Sequence, residues 1–137
     1  MNVKIHIKQL GNPKIQKLDY ALDSIPATLR ALIDMIARNE AHNYNLRLQD
    51  SSEENPIAED ILSGMLHIGK VHFGKIHSDR LADIQQASNI AIRAFEDGLV
   101  RIFLNEKELT ELDAPLTIRE DDCLTFLHLA MLTGGRH

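Results

Sequence analysis

An α+β fold in a single domain is predicted by three features of the sequence. Two strand-like runs open the chain, an amphipathic helical run follows them, and strand-like runs return after position 98. Strands and helices grouped in this way, instead of alternating regularly, are typical of α+β proteins. A chain of 137 residues is also long enough to bury a substantial core as one domain.

The first strand-like runs predict an antiparallel hairpin. In "MNVKIHIKQL" apolar residues alternate with polar ones, which is the period of a strand with one solvated face. Residues 11–13, "GNP", are turn formers, and a second alternating run, "KLDYAL", follows them. Because the connection is short, the two strands are expected to pair antiparallel.

The segment "SIPATLRALIDMIAR" changes to a helical period. Its apolar residues fall at i, i+3, i+4 and i+7, which places them on one stripe of a helix: Leu29, Leu32, Ile33 and Ile36. Ser24 and Pro26 precede this stripe and are predicted to supply the cap and the first-turn proline. The helix is expected to cover the apolar face of the sheet.

A second helix is predicted in "LADIQQASNIAIRAFEDG". Its shared face carries alanines, which indicate close packing against another element: Ile84, Ala87, Ala91, Ala94 and Phe95. Gly98 is placed to end the helix. A third helical pattern, "IAEDILSGML", lies earlier, after the polar and turn-prone loop "QDSSEENP".

The last part of the chain predicts strands. "LVRIFLN" reads as a strand, "NEKE" as a tight turn, and "LTELDAPLTI" as a short strand with a proline-containing connection. In "CLTFLHLAML" both alternating sets are largely apolar, which predicts a strand that is either buried on both faces or flanked by other strands, near the middle of the sheet. Cys123 begins this strand and is predicted to be a core residue, because acidic neighbours and burial both disfavour a nucleophilic thiolate.

The C-terminal run "FLNEKELTELDAPLTIREDDCLTFLHLAMLTGG" resembles the second half of ubiquitin, where a "TLHL" strand leads to a diglycine. It is also similar to the tails of the bacterial sulfur carriers of molybdopterin and thiamine synthesis, in the "DAPL" segment and the acidic turn before the last strand. The resemblance covers residues 1–38 by element order and 99–135 by pattern.

This resemblance implies a β-grasp, ubiquitin-like mixed sheet with a covering helix. The whole of residues 1–137 would be one ubiquitin-like domain with a helical insertion at about 40–98, which has no counterpart in the family. The first and last strands would lie side by side and parallel in the centre of the sheet, and the tail would leave from there.

The resemblance also implies a function for Gly134 and Gly135. In the family, the terminal glycine carboxylate is adenylated by an activating enzyme and becomes a thioester or thiocarboxylate. Here Arg136 and His137 follow, so Gly135 would have a free carboxylate only after a peptidase removed them. The alternative is that the tail is a frayed terminus without a role in chemistry.

Three histidines, His67, His72 and His77, stand five residues apart in "HIGKVHFGKIH". Three imidazoles can bind zinc, but this spacing suits neither one face of a helix nor one face of a strand. Their glycines could instead cradle an anion, yet the segment lacks the P-loop pattern. A plain glycine-rich connection is the preferred interpretation, and no metal or other cofactor is predicted.

Composition narrows the classes of partner. The formal net charge is −5, and no basic run of the length that nucleic acid or an anionic membrane requires is present. No apolar stretch approaches the ~20 residues of a membrane span. The single cysteine excludes an intrachain disulfide. A cytoplasmic location is expected.

Two functional hypotheses follow. In the first, the chain is a non-enzymatic ubiquitin-like modifier or carrier that acts through Gly135 after trimming and meets an activating enzyme or a peptidase. In the second, it is a β-grasp adaptor that binds a protein partner through the insertion or a sheet surface, with an inert tail. No arrangement of catalytic side chains supports an enzyme from sequence alone.

Overall fold

The computed structural model describes residues 1–11, 13–50 and 83–129. Its elements, in chain order, are β1 (Asn2–Gln9), β2 (Ile15–Ala21), α1 (Leu29–Asp50), α2 (Ile84–Glu96), β3 (Val100–Leu104), β4 (Lys107–Leu109) and β5 (Cys123–His128). The predicted α+β class is confirmed.

The five strands form one mixed sheet in the order β2-β1-β5-β3-β4. β1 pairs antiparallel with β2, as the hairpin prediction required, and parallel with β5. β3 pairs antiparallel with both β5 and β4. The prediction that the last strand lies in the middle of the sheet, beside the first and parallel to it, is confirmed.

One face of the sheet carries the core. The alternating residues of β1, β3 and β5 on this face are fully buried against the two helices: Val3, Ile5, Ile7, Val100, Ile102, Leu124 and Phe126. The predicted stripe of α1 is buried opposite them, which confirms that this helix covers the sheet: Leu29, Leu32, Ile33 and Ile36.

The start of α1 differs from the prediction. The cap is Thr28, whose hydroxyl accepts the backbone N–H of Ala31 at 3.1 Å, so neither Ser24 nor Pro26 has the predicted role. The helix also continues to Asp50, well beyond the point near residue 40 where the insertion was expected to begin. The later turns remain attached to the core because Ala41 and Tyr44 are buried.

α2 packs on α1 through small side chains. Ala87, Ala91 and Ala94 are buried, as predicted from their spacing. The helix begins with Asp83, whose carboxylate accepts the N–H of Gln86 at 3.1 Å. Its last helical residue is Glu96, and Gly98, just beyond the cap residue Asp97, terminates the helix as predicted.

The end of α2 is a Schellman motif. Gly98 has a φ of +78°, which glycine adopts without strain. The N–H of Gly98 donates to the carbonyl of Phe95, and the N–H of Leu99 donates to that of Ala94.

The predicted turn between β3 and β4 is present, although it is shorter than "NEKE". Leu104 pairs with Lys107, so only Asn105 and Glu106 form the turn. The predicted short strand is limited to β4, and the proline-containing connection then runs to the start of α1. There the N–H of Leu116 donates to the carbonyl of Ala27 at 2.8 Å.

The predicted insertion is described in two parts, residues 40–50 at the end of α1 and residues 83–98 around α2. The "QDSSEENP" loop, apart from its first two residues, the "IAEDILSGML" helix and the histidine segment lie outside the described residues. Within the described part of the chain, no helix is both long and apolar enough to cross a membrane.

Candidate functional site

β5 is hydrogen-bonded to a strand on each side at its C-terminal end. At the end of β5, the N–H of Leu129 donates to the carbonyl of Leu99 at 2.8 Å, and the carbonyl of His128 accepts the N–H of Leu10 at 3.1 Å. β5 is therefore held from both sides up to the last described residues. Gly134 and Gly135 lie outside the described residues, so the predicted conjugation tail begins at a central strand but is itself not described.

The second candidate is the open face of the sheet, which we define as the face turned away from both helices. Its members follow from the strand registers, because side chains alternate between the two faces of a strand. They are Asn2, Lys4, His6, Lys8, Ile15, Lys17, Asp19, Ala21, Arg101, Phe103, Glu108, Cys123, Thr125 and Leu127.

The centre of the open face is partly apolar. Phe103 and Leu127 are half-buried. Thr125, on β5, lies directly opposite Phe103 of β3 and His6 of β1. Of the two alternatives predicted for β5, flanking by other strands is confirmed and burial on both faces is not: β5 lies between β1 and β3, and Leu124 and Phe126 are buried, whereas the side chains of the other set are only half-buried. No described element covers this second face, which is why a largely apolar strand remains accessible there.

The charge of the open face is opposite to that of the whole chain. Lys4, Lys8, Lys17 and Arg101 lie on it, and all four are exposed. Two of these cations have an acidic partner on the same face. Lys4 Nζ lies 2.9 Å from Asp19 Oδ1, and Arg101 Nε lies 3.7 Å from Glu108 Oε2. The face therefore carries more cations than anions although the chain has a net charge of −5.

Cys123 belongs to the open face, which corrects its predicted place in the core. The residue is half-buried, and its Sγ lies 3.5 Å from Nδ1 of His6 on the neighbouring strand. The error arises because both alternating sets of β5 are apolar, so the sequence alone did not show which set faces the helices. Register with β1 decides the matter, since Cys123 pairs with the exposed Lys4.

A groove of about 680 Å³ lies beside β4, at the margin of the sheet opposite β2. The start of α1 and the end of α2 also line it. It is bordered by Arg30, whose guanidinium forms two hydrogen bonds with Asp113 at 2.9 and 3.1 Å. This contact lowers the pKa of the Asp113 carboxyl and raises the pKa of Arg30. These two charges therefore pair with each other at the border of the groove.

The candidate metal ligands His67, His72 and His77 lie outside the described residues. Among the residues that are described, no cluster of three or more His, Cys, Asp and Glu side chains is arranged to hold a metal ion. Sequence reasoning also missed the open face as a basic surface. The alternation of Lys4, His6 and Lys8 signals it, but Lys17 and Arg101 join these residues only through strand pairing.

Comparisons of the chain with protein-family models, with curated proteins and with solved structures give no match. Any functional assignment therefore depends on the geometry described above and on the resemblance in the C-terminal sequence.

Proposed function

We propose that the chain is a β-grasp, ubiquitin-like protein that acts as a modifier or carrier through Gly135, once Arg136 and His137 have been removed. The observation that carries the proposal is the position of β5. It lies between β1 and β3 and runs parallel to β1, which is the arrangement that the family resemblance implies.

The chemistry of the tail supports the same proposal. Glycine has no β-carbon, so two glycines in succession can lie extended in a narrow channel where any side chain would clash. Trimming would expose the carboxylate of Gly135. An activating enzyme could then join this carboxylate to the adenylyl group of ATP, with pyrophosphate as the leaving group, and pass the acyl group to a thiol or a sulfur donor.

The experiment uses the full chain and a lysate of the organism that encodes it. We expect the intact mass to decrease by the Arg and His residues, and then, with ATP present, to increase by an adduct on Gly135. A Gly134→Val/Gly135→Val variant changes only residues that follow β5, and its side chains would clash in a narrow channel of the activating enzyme, so it is expected to give no adduct. Persistence of Arg136 and His137 on the unmodified chain, with no adduct, would contradict the proposal.

A second candidate function is that of a binding adaptor with an inert tail, and the open face supports it. A partly apolar centre formed by Phe103 and Leu127, with exposed cations around it, fits a protein partner whose contact surface is apolar with an acidic rim. Binding of this kind needs neither Gly134 nor Gly135.

One set of variants distinguishes the modifier function from the adaptor function. For the adaptor, Leu127→Asp is expected to abolish partner capture while a chain that lacks residues 134–137 captures normally. For the modifier, the deletion abolishes adduct formation. Asn89→Asp, on the exposed side of α2, introduces the same carboxylate away from the open face and is the control.

A further inference from the structure

We propose that β2 is a dimerisation edge, at which two copies of this chain join their sheets by antiparallel β2–β2 pairing with a two-fold axis at Leu18. The proposal does not depend on the function of the tail or of the open face, and it rests on the pairing geometry and sequence of β2.

The first observation is the asymmetry of the two sheet margins. β2 is a strand of 7 residues at one margin, and its only neighbour among the described elements is β1. The opposite margin is β4, which has 3 residues. A long edge strand offers unpaired N–H and C=O groups to another strand, whereas a short one offers few.

The second observation is which backbone groups of β2 face outward. Met1 and Leu22 exchange hydrogen bonds in both directions, at 2.8 and 3.3 Å, so Leu22 turns its backbone toward β1. Backbone direction alternates along an antiparallel strand. The odd-numbered residues of β2 therefore direct their N–H and C=O groups away from the sheet: Ile15, Lys17, Asp19 and Ala21.

The third observation is that these outward positions are self-complementary in one register. A two-fold axis at Leu18 places Lys17 opposite Asp19 of the second copy, and Ile15 opposite Ala21 of the second copy. Each such pair has both backbones facing the interface, so it can exchange two N–H···O=C bonds. The same axis forms two opposite-charge pairs between the copies.

Neighbouring registers lack this match. If the axis moves by one residue, to position 17 or to position 19, outward-facing residues still lie opposite outward-facing residues, so the hydrogen bonds can still form. An axis at 17 places Lys17 opposite Lys17, however, and an axis at 19 places Asp19 opposite Asp19. Like charges directly opposite each other destabilise a strand pair. The sequence of β2 therefore selects one register, and the shortness of β4 prevents the joined sheet from extending further.

The side chains of β2 also favour burial at such an interface. Ile15 is 43% exposed in the single chain and would contact Ala21 of the second copy on the open face. Leu18 is half-buried on the helix side and would contact its own counterpart at the axis. Asp19 would lie between Lys4 of its own chain and Lys17 of the second copy.

Charge-reversal variants of the full chain test the proposal by sedimentation equilibrium, over about 1 µM to about 1 mM, since dimerisation follows mass action. The unmodified chain is expected to be a dimer at the upper end. Lys17→Asp creates two Asp–Asp pairs and Asp19→Lys creates two Lys–Lys pairs. Each is expected to raise the dissociation constant of the dimer by at least about tenfold.

Mixing the two charge-reversal variants tests directly whether residues 17 and 19 of the two copies lie opposite each other. A chain with Lys17→Asp and a chain with Asp19→Lys match each other at both interface pairs, so an equimolar mixture is expected to recover a heterodimer. Lys107→Asp, on the short margin strand β4, carries the same charge change and is expected to leave the dimer intact. Far-UV circular dichroism checks that each variant is folded.

The proposal would be overturned if the unmodified chain remained monomeric at the highest concentration. A dimer that survives Lys17→Asp unchanged would also overturn it, as would a mixture of the two variants that remains monomeric.

Discussion

Thr28 shows how one hydroxyl determines where a helix begins. It satisfies the N–H of Ala31, a backbone group that would otherwise lack a partner in the first turn of α1. Thr28→Ala is expected to lower the free energy of unfolding by about 1 kcal/mol. Ser24→Ala removes a hydroxyl from an exposed position four residues earlier and is the control, with an expected effect near zero.

Urea denaturation of both variants measures the difference. Equal losses for Thr28→Ala and Ser24→Ala would show that the hydroxyl of Thr28 does not cap α1.

His128 makes stability depend on pH in one direction. Burial lowers the pKa of its imidazole from the ordinary value of 6.5, because burial disfavours the charged form. Below about pH 6.5 the unfolded chain therefore binds a proton that the folded chain resists, and the free energy of unfolding falls as pH decreases. Stability supplied by the neutral imidazole is present above this pH.

Thermal unfolding between about pH 5 and pH 8 tests this prediction. His128→Gln is expected to flatten the decline below pH 6.5, whereas Asn89→Gln, which removes no titratable group from the exposed side of α2, is expected to leave its slope unchanged. A His128→Gln profile parallel to that of the unmodified chain would contradict the assignment.

At the scale of single elements, the two faces of β5 are expected to contribute unequally to the free energy of unfolding. Phe126 is fully buried against the helices, whereas Leu127 is half-buried on the open face. Phe126→Ala is expected to lower the free energy of unfolding by about 3–5 kcal/mol, since it removes a large core side chain and leaves a cavity. Leu127→Ala is expected to cost less than about 1.5 kcal/mol, because solvent already reaches its site.

Chemical denaturation of the two neighbouring alanine variants provides the comparison. A larger loss for Leu127→Ala than for Phe126→Ala would mean that the two faces of β5 have been assigned in reverse.

The elements of this chain were predictable where their apolar residues recur on one face only. β1 and the start of α1 each have one apolar set, so the strand, the helix and their buried faces follow from the sequence. The cap was misplaced because Ser24 and Thr28 have equally suitable side chains, and only the course of the chain after β2 distinguishes them. The face of Cys123 was misassigned because β5 has two apolar sets.

The same reasoning explains what was missed at the candidate sites. The cations of the open face come from three strands, β1, β2 and β3, and β3 is far in sequence from the hairpin that β1 and β2 form. A single run of the sequence contains only Lys4, His6 and Lys8, so the surface appears only when strand order and register are known.

For the molecule as a whole, the sheet and both helices share one core, because residues of β1, β3, β5, α1 and α2 belong to the same buried cluster. We therefore expect one cooperative unfolding transition. Ala91→Leu, which overfills the contact between α1 and α2, is expected to destabilise by about 1–3 kcal/mol and to shift sheet and helix signals together. Asn89→Leu, on the exposed side of α2, is the control.

Tyrosine fluorescence and far-UV circular dichroism, followed in the same denaturant series, measure this. In a Tyr44→Phe background Tyr20, on β2, is the only tyrosine, so its fluorescence follows the sheet, whereas far-UV circular dichroism is dominated by the two helices. Separate midpoints for the two signals would show that the helices and the sheet unfold independently.

The central position of β5 also determines when the protein can fold during its synthesis. β1 and β3 each have β5 as a neighbour and do not pair with one another, so the strands made earlier form two unconnected hairpins. A nascent chain still lacking β5 exposes the inner edges of both hairpins. Completion of the sheet must wait until residues 123–128 have left the ribosome, and a message truncated before that point would produce a chain that cannot close its core.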